Sequence, residues 1–143
     1  MADIALTAGS IIPASNAVIA RGTAGGSVIA GYAVYADAAN SNQIKPATTA
    51  GTATAAVVGI AVNAASPGQP VDYQTSGDLA FGSNSGLASG TVCVLSPTVG
   101  GGHIAPTPDL AASHGTAYAT LIGIATGPAN LRLAITASGS VFP

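Results

Sequence analysis

Charge is what this chain has least of. Only 6% of its 143 residues are Asp, Glu, Lys or Arg, against about 25% in an ordinary globular domain. Glu is absent. The cations are Arg21, Lys45 and Arg132, and the anions are Asp3, Asp37, Asp72, Asp78 and Asp109. Three scattered cations cannot neutralise a run of phosphates, so no nucleic-acid partner is expected. Trp is absent, aromatics make up 4%, and the single Cys93 rules out a disulfide within the chain. Long apolar runs are missing too. The longest, over 27–36 and 55–62, end well short of the ~18 residues that a membrane-spanning helix needs. The opening Met1-Ala2-Asp3-Ile4 has no basic segment before an apolar core, so no secretory leader is expected.

What fills the chain instead is Ala, Gly, Ser, Thr and aliphatic residues: 48% hydrophobic, 19 Gly, mean hydropathy +0.53. A surface made of such residues has little charge to keep copies apart, which points to a permanent oligomer or a docked subunit. The order of these residues carries more information than their number, because the second half restates the first. Gly31-Tyr32-Ala33-Val34-Tyr35 lines up with Gly90-Thr91-Val92-Cys93-Val94, and Ile44-Lys45-Pro46 with Ile104-Ala105-Pro106. Val57-Val58-Gly59-Ile60-Ala61 lines up with Leu121-Ile122-Gly123-Ile124-Ala125. Val71-Asp72-Tyr73 lines up with Leu131-Arg132-Leu133, and Ser76-Gly77 with Ser138-Gly139. Apolar strand and turn are what repeat; no reactive group repeats with them.

The runs are short, rich in Val, Ile and Tyr, and punctuated by turns, which predicts an all-β chain. Strands are expected near 4–6, 17–20, 28–36, 43–46, 56–62, 70–74, 78–82, 90–95, 103–106, 117–125, 130–136 and 139–142. The Ala-rich stretch 47–56 is broken by Thr and Gly51 and develops no helical stripe. One helical turn is expected over 109–113. The expected architecture is a small closed or nearly closed β-barrel or sandwich built from two related strand sets. Residues 1–26 read as an extended N-terminal arm with one or two short strands or, equally, as a first strand of the barrel, and 27–143 as a single β domain with its repeats at about 27–82 and 87–142. Asp72 and Arg132 alternate with apolar neighbours and are expected to face outward as solvated surface charges.

Chemistry is sparse. His103, Asp109 and His114 have ligand-like side chains, but their spacing is loose and Pro106 and Pro108 intervene, so no metal or cofactor is expected. Gly82-Ser83-Asn84-Ser85-Gly86 lacks the spacing of a nucleophile elbow. Lys45 follows Ile44, so there is no phosphate loop, and Gly100-Gly101-Gly102 reads as a hairpin turn. Five dispersed Asp residues make a poor glycosidase pair. Cys93, between Val92 and Val94, reads as a small core hydrophobe. Tyr32, Tyr35, Tyr73 and Tyr118 read as packing residues, with one or two as anchors of a subunit interface.

As a whole pattern, residues 27–142 resemble bacteriophage capsid decoration proteins, also called head stabilisation or cement proteins. The segments that carry the likeness are 31–35 with 44–47, 57–62 with 68–73 and Gly77, then 90–95 with 104–107, and 121–125 with 131–135. The chain differs from the commonest pattern in having fewer acidic residues and a longer N-terminal arm. The resemblance implies a non-enzymatic virion protein on the outer surface of the phage head, made in the host cytoplasm. It would bind where major capsid protein subunits meet and stabilise their contacts. Members are often trimers, so a homotrimer is implied. The arm would add a strand to a coat-protein sheet, which makes Ile4, Leu6, Ile11 and Ile12 the candidate capsid-binding residues. The competing readings are a tail, fibre or baseplate domain, or a carbohydrate-binding β module.

Overall fold

Strands account for about half of the described residues, among which no α-helix occurs. The computed structural model describes residues 3–83, 85–98, 101–106 and 115–141. The expected helical turn over 109–113, residues Val99 and Gly100 of one hairpin, and Asn84 lie outside these. The strands are β1 (Ile12–Pro13), β2 (Val18–Thr23), β3 (Ala33–Asp37), β4 (Gln43–Pro46), β5 (Val57–Ala61), β6 (Pro70–Ala80), β7 (Val92–Leu95), β8 (Ile104–Pro106), β9 (Tyr118–Ala125) and β10 (Asn130–Val141). They form an antiparallel, curled half-barrel in the order β4-β3-β5-β6-β10-β9-β7-β8, with β1 and β2 also on β6. Among the described residues no ladder closes it. Its two ends are stitched instead: Ala33 N–H donates to Gly102 O (2.8 Å) and Gly102 N–H to Ala47 O (2.7 Å).

The strand order is a palindrome, and the repeat read from the sequence is the reason. Val34↔Pro46, Tyr35↔Lys45 and Ala36↔Ile44 pair across β3–β4 as Cys93↔Pro106, Val94↔Ala105 and Leu95↔Ile104 do across β7–β8. Even the bulge recurs: Ala33↔Ile60, Val34↔Gly59 and Tyr35↔Val57 match Val92↔Ile124, Cys93↔Gly123 and Val94↔Leu121. Gly31 and Gly90 sit at φ 96° and 85°, where a Cβ is unfavourable. Gly31 N–H bonds Ala61 O (2.8 Å), and Gly90 N–H bonds Ala125 O (2.7 Å).

One alignment needs correction. Ile60↔Gln74 and Ala61↔Tyr73 correspond to Ile124↔Arg132 and Ala125↔Leu131. The structural counterpart of Arg132 is therefore Gln74, not Asp72. The slip is two residues, which preserves the alternation of faces and so leaves no trace in the apolar pattern.

Two expected breaks are also absent. β6 and β10 each run unbroken through Ser-Gly, where two strands were expected. Gly77 (φ 92°) and Gly139 (φ 72°) are irregularities inside long strands, a use of Gly that reads like a turn in sequence. The irregularity at Gly77 has a large effect. Gln74 pairs with Ile60, which faces the main core, and Leu79 faces the same core. Residues five apart on a regular strand face opposite ways. The register shift between Val18↔Ser76 and Ile19↔Gln74 marks Thr75, two residues before Gly77, as the extra residue that turns the strand over.

The two halves therefore pack front to back. The first half's front (Val34, Ile44, Ala61, Val71) forms a private core with Ala24 and Val28, from the segment that follows β2 and covers it, and Ala65 of the β5–β6 connection. The first half's back (Ala33, Val57, Ile60) packs in the main core against the second half's front (Cys93, Leu95, Ile104, Ile122, Leu131). The second half's back is left uncovered in places.

Candidate docking surface

The N-terminal segment is not a separate body. β1 pairs with β6 (Ile12↔Ala80, Pro13↔Leu79), and β2 pairs with it from Val18↔Ser76 to Thr23↔Pro70. Ile4 N–H donates to Ile104 O (2.8 Å). Ile4 and Ile11 are buried in the main core, and Leu6 packs against it. Gly31 makes room for them: a Cβ there would lie 2.8 Å from Leu6 Cδ2 and 3.2 Å from Ile11 Cδ1. Of the four residues expected to meet a coat protein, Ile12 is the one that stands clear, 59% exposed. The other three are engaged with the chain's own core. Local sequence could not show this, because a strand that fits a neighbour's sheet fits its own equally well.

Each of the three cations is paired with an Asp of the chain. Arg21 Nε lies 2.6 Å from Asp72 Oδ1, directly across the β2–β6 register. Lys45 Nζ lies 2.6 Å from Asp37 Oδ2, and Arg132 Nε 2.9 Å from Asp78 Oδ1, across β10–β6. Hydrogen bonds from these cations hold the three carboxyls below the usual carboxylate range. Asp72 and Arg132 do face outward, each in a pair with another residue.

Ser, His and Asp meet at one place. Asp3 accepts hydrogen bonds from Ser96 Oγ and Thr98 Oγ1, both 2.5 Å, and His103 Nδ1 is 3.7 Å from Asp3. His103 also leans on the Tyr32 ring, 5.3 Å between centroids. In a nucleophilic triad the Ser donates to the His. Here it donates to the carboxylate and is buried, so the cluster ties down the N-terminal segment. Asp109 and His114 lie outside the described residues, among which no three His, Cys, Asp or Glu side chains gather as metal ligands do. Cys93 is fully buried, and burial pushes its thiol up to about 11.

What remains is an apolar surface on the back of the second half. Val92 (39% exposed) and Ile124 (46% exposed) are direct cross-strand partners. The row continues through Arg132 to Asp78. One pleat along, Asn130, Ala80 and Ile12 share the same outer face. The counterparts of Val92, Ile124 and Arg132 in the first half are Ala33, Ile60 and Gln74, each with 0% exposure. The same row is thus core in one half and surface in the other. Sequence reading missed the row because the two versions look alike.

No protein-family model and no curated protein matches the chain.

Proposed function

We propose that this chain is a structural protein of a phage virion that binds the outer surface of the head, as a homo-oligomer, and stabilises contacts between major capsid protein subunits. The observation that carries this reading is a sheet face built to lie against another protein surface, the partly exposed row of Val92 and Ile124, whose counterparts in the first half are core. A sheet face of that composition gains about 25 cal/mol for each Å² of apolar surface it removes from water. The paired charges support the reading as well. Each described Lys and Arg already has an Asp partner, so docking relies on shape and apolar contact. The resemblance over 27–142 supplies the site of action, the assembled head. Many modest contacts, repeated over a symmetric shell, add up to tight binding through effective concentration.

The test is to mix the purified protein with expanded, undecorated heads. Saturable, stoichiometric uptake and a gain in heat resistance of the heads are expected. Heads that take up no protein at micromolar concentration would overturn the reading.

A further inference from the structure

We infer that the back of the second half is the surface through which two copies of this chain meet, face to face, with Val92 and Ile124 of one against Ile12 of the other. The inference deepens the reading above and rests on it in one respect, that the chain works by lying against protein.

Three observations choose a second copy as the occupant. The first is the treatment of the same row in the first half. Ala33, Ile60 and Gln74 are covered there, and what packs on the core side of that sheet is a β-face of this very chain, the front of the second half. The second is charge. The row carries one cation and one anion side by side, Arg132 and Asp78, 2.9 Å apart at Nε–Oδ1, with Asn16 Nδ2 also donating to Asp78 (3.2 Å). A face bearing one sign of charge repels its own image; a face with an adjacent plus and minus accepts it, Arg132 meeting Asp78 across a twofold axis. The third is the distribution of apolar groups on either side of that pair. Across the sheet the order is Val92 on β7, Ile124 on β9, Arg132 on β10, Asp78 on β6, and Ile12 on β1. Turned over about an axis along the strands, the Val92–Ile124 end lies on the Ile12 end, apolar on apolar. A contact of this kind is isologous and closes at two copies, where the resemblance implies a trimer.

The experiment has three arms, all on the full chain. Sedimentation velocity from about 1 to 200 µM is expected to show dimer growing with concentration, in the weak range of small interfaces. Ile124→Lys is expected to weaken the association at least tenfold while leaving the urea midpoint unchanged, because the side chain stands in solvent. A wild-type protein that is monomeric over the whole range overturns the proposal. The second arm mixes Ile12→Cys with Ile124→Cys under mild oxidation. A disulfide joining the two different variants is expected to exceed either self-linked product by severalfold. Within one chain these positions are three strand spacings apart, about 14 Å, too far to bridge. An excess of self-linked products overturns the proposal. The third arm measures head uptake. An Ile124→Lys protein that still dimerises yet no longer decorates heads assigns the face to the coat protein: the proposal falls and the head-binding reading survives. A dimer abolished by Ile124→Lys, in a wild type that never binds heads, is the reverse outcome.

Discussion

Gly77→Ala and Gly139→Ala make the same chemical change in the same dipeptide and are expected to differ sharply in cost. Both glycines have positive φ, 92° and 72°, where an L side chain costs roughly 1–2 kcal/mol. At Gly139 nothing lies within 4 Å of an added Cβ, so that penalty stands alone. At Gly77 the Cβ would run into the Asn16 carbonyl oxygen and come 2.9 Å from Ala17 Cα, both backbone atoms. The strand or the Ala14–Ala17 turn has to shift, adding about 1–3 kcal/mol by analogy with overpacked cores. Gly77→Ala should therefore lose about 2–5 kcal/mol and Gly139→Ala about 1–2, read from urea unfolding with unchanged m-values. Proteolysis in the turn over 14–17 should rise for Gly77→Ala alone. Equal losses for the two variants would show that the N-terminal segment does not press on β6 at Gly77, and the account of how the strand turns over would fail with it.

Four further outcomes follow from the same geometry. Ile60→Ala, at a site with 0% exposure, should cost about 2–5 kcal/mol; its counterpart Ile124→Ala should cost under about 1 kcal/mol when unfolding is followed at sub-micromolar protein, and comparable losses would contradict the front-to-back packing. Gln74→Arg should abolish cooperative unfolding, since Gln74 is buried with its amide donating to Ser76 O and Asp78 O and a charge there has no counter-ion, whereas Arg132→Gln should still fold; a cooperative melt for Gln74→Arg would argue against that burial. The Cys93 thiol, pushed up to about 11 by burial, should resist a maleimide at pH 8 until urea unfolds the chain, and rapid labelling of native protein would refute its place in the core. The carboxyls of Asp37, Asp72 and Asp78 are lowered by their cation partners, so their contribution is complete above their unfolded values near pH 4 and disappears as pH falls through the folded ones. Tm attributable to them should be flat from pH 5 to 8 and fall below about pH 4, less steeply in high salt; a Lys45, Arg21 and Arg132 triple Ala variant with an unchanged acid limb would refute the assignment.

Much of the fold was legible because its signals are local. Short aliphatic runs and turn clusters identify β3 to β5 and β7 to β9 nearly in place, and the repeat aligns β3, β4 and β5 with β7, β8 and β9 down to a shared bulge. The misreadings are about sidedness and distance. Ser76-Gly77 has the composition of a turn, and only the pairing of residues far along the chain makes it a bulge within β6. Ile4, Leu6 and Ile11 suit an arm that docks on a neighbour and a piece of the chain's own barrel alike, and nothing near them in sequence decides that the core they enter is their own. The candidate site was the least legible part: Ile60 and Ile124 occupy the same place in the same motif, yet one is core and the other surface.

That divergence follows from the parity of one strand. A duplicated β unit whose halves met through equivalent faces would bury the same rows in both and leave the same rows outside. Turning β6 over at the irregularity over 75–77 sets the back of the first unit on the front of the second. Such stacking consumes one back and one front and leaves one of each. Stacked repeats need their terminal faces closed. The spare front is closed from within by the segment around Ala24 and Val28, whereas Val92 and Ile124 keep the spare back apolar and partly open. On that face the Arg132–Asp78 pair supplies charge and Asn130 an amide, beside the apolar Val92, Ile124 and Ile12. Its exposure is thus a consequence of the fold's arithmetic, and an apolar sheet face left open by such arithmetic is where another protein surface has the most to gain.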